Sequence, residues 1–190
     1  MRIDGYFEFI VGMISVILAL AIAQLFIGVS DLIQRRDRVK FFLPHSVWAT
    51  VLFLLAFLHW WSLWTFKDLD WNFAMFFYSL LGPSLMFFAV TILNPRDRGE
   101  DSLDLAEYFM DSRRYFLGVM LVVFLLFIFD GPLFGTEPFF SGLRVAQGVT
   151  IASVLWGILS DNHRAHVIIA LAVLGSLIAV VSIRFLPGQG

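Results

Sequence analysis

Six stretches of this 190-residue chain contain no aspartate, glutamate, lysine or arginine: 9–30, 41–66, 71–95, 115–129, 145–160 and 165–183. Runs of that kind narrow the available folds sharply, because a helix crossing a bilayer needs about 20 predominantly apolar residues, within a range of about 17–25. The first three runs meet that length outright. The fourth and fifth reach it by taking in end residues such as Ser112 or Asp161. Composition agrees: 59% of residues are hydrophobic and 15% charged, against about 45–50% and about 25% in soluble domains. A soluble fold of this size has no means of hiding so much apolar surface. The expectation is an all-α bundle of six transmembrane helices in a single domain over 1–190, with spans near 7–30, 44–66, 72–94, 113–131, 143–161 and 165–185.

Loop charge predicts the orientation. Arg35, Arg36, Arg38, Lys40, Arg96, Arg98, Arg113, Arg114 and Arg164 fall on one side, and Arg2, Lys67, Arg144 and Arg184 on the other. The richer side is expected to be cytoplasmic, which puts both termini outside, in a membrane of the bacterial cytoplasmic type. LALAIAQ at 18–24 resembles a signal-peptidase site, but Asp4 and Glu8 outweigh Arg2, so the first segment is expected to be a retained helix. Pro44 opens the second span, where its missing N–H costs little. Asn94-Pro95 closes the third, and Gly82-Pro83 is expected to kink it midway.

Between the third and fourth spans, Glu100, Asp104, Glu107 and Asp111 recur at helical spacing opposite Leu103, Ala106, Phe109 and Met110. This pattern predicts a short amphipathic helix at the interface. Its acidic stripe is either a solvated face or a contact for a protein partner, the Arg35–Lys40 loop of the same chain among them. The ends GVSDLIQRRDR (28–38), NPRDR (94–98) and GILSDNHRAH (157–166) echo one another. They record either repeated hairpins or the common chemistry of inner helix ends.

Several residues are candidates for function because polar groups inside spans are costly and usually face the bundle interior. His59, in FLHWWSLWTF (57–66), lies about 10 Å below the outer end of its helix. Leu52, Leu55, Ala56 and Ser62 share or adjoin its face, so it is expected to point inward, with Glu8 and Asp130 as its acidic partners. Packing and proton relay are both open to it. Trp60, Trp64 and Trp71 read as an interfacial belt. Gln24, buried roughly one and a half to two turns inside its helix end, serves either as helix glue or along a transport path. Asp31, Asn94, Asp161, His163 and His166 collect near the cytoplasmic mouth, together with His45.

The chemistry classes thin quickly. There are no cysteines, so disulfides, thiolate metal sites and cysteine nucleophiles are excluded. SDNHRAH (160–166) lacks the pattern of a metal helix, and no phosphate loop, GxSxG elbow or HExxH is present. No metal and no cofactor is expected. A net charge of −2 gives no general signal for nucleic acid. The bilayer, self-association and a membrane-complex partner are the expected associations. The functional expectation is a channel or small-solute or ion transporter subunit acting as a homo-oligomer. The alternatives are an accessory or assembly subunit of a larger membrane complex and, more weakly, a histidine-based redox or lipid-modifying enzyme.

Overall fold

The structure, a computed structural model, describes residues 3–95, 102–135 and 143–185. Among these, six α-helices follow in order: α1 (Ile3–Gln34), α2 (Leu43–Ser62), α3 (Phe73–Leu93), α4 (Leu105–Leu133), α5 (Leu143–Leu159) and α6 (His163–Phe185). Five of them are long and apolar enough to cross a membrane, whereas the apolar α5 has 17 residues. At 1.5 Å per residue that is about 25 Å, somewhat under a hydrocarbon core of about 30 Å. The fold is that of an all-helical integral membrane protein.

Local chemistry sets the starts of α2, α3 and α4. Pro44 sits in the first turn of α2, where its fixed φ suits the helix. The Asn72 side chain caps α3 by accepting from the Met75 N–H at 3.0 Å. At α4 the Asp104 carboxylate accepts from the N–H groups of Ala106 and Glu107 at 2.9 and 3.3 Å. These contacts satisfy donors that a helix start leaves orphaned.

One expectation is corrected here. From Leu105 on, the amphipathic segment is not a separate helix but the first turns of α4, which runs unbroken from Leu105 to Leu133. Asp111, Arg113 and Arg114 interrupt the apolar run, but no proline or glycine between 105 and 117 interrupts the backbone. Twenty-nine residues extend about 44 Å, well beyond the hydrocarbon core, so the polar turns project past it. α3 likewise continues as one helix through Gly82-Pro83.

The helices alternate in direction. α1 packs on α3, α3 on α4, α4 on α5 and α5 on α6, while α2 lies against α1, α3 and α6. One end gathers Trp60 beside Ser15, at 3.0 Å, and Phe9 beside Phe76. The other carries the arginine-rich loops. Trp48, Phe116, Leu117, Met120, Val123 and Ile169 form a fully buried band between the two, with the Trp48 and Phe116 rings edge-on at 5.1 Å.

At the basic end two short strands, β1 (Val39–Lys40) and β2 (Leu103–Asp104), pair in parallel. Lys40 Nζ lies 3.3 Å from Asp104, so one residue of the acidic stripe does meet the 35–40 loop. Partial burial pushes the Asp104 carboxyl up, but the two capping N–H groups and Lys40 outweigh it and hold it below its ordinary value. Its contribution is therefore present above the unfolded carboxylate value of about 3.9 and fades as pH falls through the lower folded-state value. Asp104→Ala is expected to cost about 1 kcal/mol, the loss of one cap. Asp104→Asn, which still caps, is expected to cost less. Thermal unfolding in detergent at neutral pH checks the order, and at acid pH the gap between wild type and Asp104→Asn is expected to close.

Candidate functional site

His59 reaches the interior because Leu52, Leu55 and Ala56, on the same face of α2, are buried with it. Its ring is 8% exposed, stacked on Phe127 of α4 at 5.2 Å and 19°. Gly82 makes room for that pair: a Cβ there would stand 3.2 Å from Phe127 and 3.7 Å from His59. The backbone carbonyl of His59 accepts from Ser62 Oγ at 2.8 Å, but its ring Nε2 has no hydrogen-bond partner among the described residues. A buried imidazole nitrogen without a partner is costly, and such groups call for explanation.

His59 lines a cavity of about 130 Å³ between α2, α4, α5 and α6, which also takes in Ser62, Asp130, Gln147, Thr150 and Ser176. That is room for several waters or one small solute. Asp130 lies beside the Tyr78 hydroxyl, and Tyr78 in turn donates to the Leu126 carbonyl at 2.8 Å. Arg144 donates to Gln147 Oε1 at 2.7 Å and to the Ile128 carbonyl at 2.8 Å. Thr150 and Ser176 share a hydroxyl hydrogen bond of 2.5 Å that ties α5 to α6. The remaining walls are apolar, with Phe66, Phe124 and Phe127 among them. A titratable imidazole, a carboxylate and hydroxyl and amide groups thus share one chamber. Such a set can bind, relay or exchange a proton, or hold a small polar solute.

Of the two acids expected near His59, Asp130 lines the chamber, whereas Glu8 is exposed and outside its lining. Gln24 is half-buried on α1; its backbone carbonyl, rather than its amide, receives Asn94 Nδ2 at 2.8 Å. Trp60, Trp61 and Trp64 are exposed, while Trp71 is half-buried and donates to the Phe66 carbonyl.

The polar residues of the basic end act as latches on helix ends, whose last carbonyls lack partners inside the helix. His45 Nε2 meets the Leu93 carbonyl at 3.0 Å. Tyr108 donates to the carbonyls of Ile92 and Asn94 at 2.7 and 3.2 Å. Arg113 donates to the Ser160 carbonyl and pairs with Asp161, and fully buried His166 faces the same carbonyl at 3.0 Å. Asp31 and His163 are exposed, the latter ring against Phe42 at 5.9 Å. Glu107 and Asp111 are exposed on the first turns of α4; Glu100 lies outside the described residues. Sequence reasoning passed over Tyr78, Gln147, Thr150 and Ser176. Polar side chains within charge-free runs were the signal available for them.

Compared with protein-family models, with curated proteins and with solved structures, the chain shows no match.

Proposed function

We propose that this protein is a membrane transport protein, a channel or carrier subunit, whose small-solute or proton site is the chamber around His59 and Asp130. The observation that carries the reading is the cavity of about 130 Å³ that His59 lines together with Asp130, Gln147, Thr150 and Ser176. In this reading the arginine-rich end is cytoplasmic, the chamber belongs to the outer half, α5 is a sixth short span and the working unit is a homo-oligomer. The buried band around Trp48 and Phe116 separates the chamber from the basic end, so passage requires that band to rearrange.

Proteoliposomes test this directly, with proton movement followed by an internal pH dye and uptake of small neutral solutes followed by osmotic swelling. His59→Ala and Asp130→Asn are each expected to lower flux by at least about tenfold, as expected of ionisable groups on a membrane pathway, with the thermal midpoint retained. Wild-type flux in both variants, or none above empty liposomes in the wild type, overturns the proposal.

A second reading, an accessory subunit, is favoured by the exposed acids Glu107 and Asp111. It expects a second polypeptide to co-purify and to be lost from Glu107→Gln/Asp111→Asn.

A further inference from the structure

The outer surface at the basic end carries a second concavity, separate from the chamber. A groove of about 570 Å³ runs between α1 and α2, walled by Leu25, Phe26, Val29, Ile33 and Phe53 and ending at Arg36. The Phe26 and Phe53 rings meet at 5.7 Å across its deep end. From Leu25 to Gln34, α1 advances about 14 Å, which is close to one leaflet, half of a hydrocarbon core of about 30 Å. The groove is thus largely apolar over the depth of one leaflet, with Ser46 and Thr50 on its α2 wall, and it ends at a turn that carries two arginines and one acid, Asp37. Arg36 and Arg38 both stand exposed in the turn that follows α1. The other two cations of that loop are engaged within the chain: Arg35 Nε with the Asp31 carbonyl and Lys40 with Asp104.

We infer that this groove binds one anionic phospholipid, with an acyl chain along the α1–α2 seam and the headgroup phosphate at Arg36 and Arg38. The distribution of chemistry supports a lipid over a peptide. The groove has an exposed apolar wall that continues into the lipid-facing surface, including Phe26 at 56% and Ile33 at 59% exposure, and its charge lies at one end. Guanidinium groups match phosphate oxygens in a paired geometry, and basic clusters immediately beyond a membrane helix attract anionic headgroups.

Delipidated protein in mild detergent, titrated with phosphatidylglycerol and separately with phosphatidylcholine under native mass spectrometry, tests it. The wild type is expected to retain one phosphatidylglycerol per chain in preference to phosphatidylcholine. Arg36→Gln is expected to reduce that preference about fivefold, the effect of one basic side chain at an anionic surface, and Arg36→Gln/Arg38→Gln to abolish it. Ala49→Phe, which fills the groove floor, is expected to weaken both lipids alike, and circular dichroism confirms that each variant is folded. Equal retention of the two lipids by the wild type overturns the inference, as does a preference unchanged in the double arginine variant. Neither result bears on the His59 chamber, which lies towards the opposite end of the bundle.

Discussion

Trp48→Ala is expected to lower stability by roughly 3 kcal/mol without making the membrane leaky. Trp48 is fully buried against Phe116 in the band between the two ends of the bundle. In lipid the unfolded helices are also solvated by apolar groups, so helix association rests largely on packing. The dominant loss is therefore the void. Removing about 140 Å³ at about 24 cal/mol per Å³ gives roughly 3 kcal/mol when the neighbours do not collapse. The Phe116 ring that faces Trp48 offers no polar group to hold water, and an apolar void stays dry, so liposome proton permeability is expected to remain that of the wild type. Trp48→Phe separates two opposed effects. It leaves a smaller void, but it also removes the Trp48 Nε1–H, a buried donor with no hydrogen-bond partner among the described residues. Relief of an unsatisfied donor is worth about 1–3 kcal/mol, so this variant is expected to be near neutral. Thermal unfolding of the three proteins in one detergent reads both effects. A Trp48→Phe variant as unstable as Trp48→Ala would mean that the indole N–H is satisfied after all.

Gly28→Ala is expected to cost about 2–4 kcal/mol, the sum of overpacking and of a disturbed buried hydrogen bond. A Cβ at Gly28 would overlap the Asn94 side-chain amide. That amide is 7% exposed and donates to the Gln24 carbonyl at 2.8 Å, bridging α1 and α3. Either the amide gives up its partner or the two helices separate; both outcomes weaken the contact between them. Gly12→Ala is the control, because a Cβ there meets nothing within 4 Å and alanine favours the helix by up to about 1 kcal/mol. A double-mutant cycle sharpens the test: Asn94→Ala vacates the space, so Gly28→Ala is expected to cost much less in that background. Additive losses would place the damage somewhere other than the Gly28–Asn94 contact.

These residues also show where sequence reading succeeds and where it stops. The inward direction of His59 was legible because Leu52, Leu55 and Ala56 mark one helical face, and periodicity is a local property. The continuity of α4 is not legible in the same way, because the amphipathic pattern predicts a short interfacial helix apart from the fourth span. Charge reports the surrounding solvent, whereas proline and glycine report the backbone, and none lies between 105 and 117. Asn94 was legible as a helix end but not as the reason for Gly28, since the two are 66 residues apart and meet only after α1 and α3 pack side by side. Chamber membership was legible only in part. His59 and Asp130 stood out as rare ionisable groups within spans, whereas Gln147, Thr150 and Ser176 became site residues when α5 and α6 closed over them.

The sequence by itself determined the solvent and the elements: charge-free runs of spanning length can only be buried in lipid or protein, and that pattern needs no partner to be read. The tertiary structure decided which polar groups face each other. A hydrogen bond such as Tyr78 to Leu126 or His45 to Leu93 joins residues 48 positions apart, and no local pattern encodes it. With little water available inside the bundle, buried polar groups find partners on neighbouring helices or line a cavity, and only the packed arrangement assigned His45 and His166 to the first role and His59 to the second.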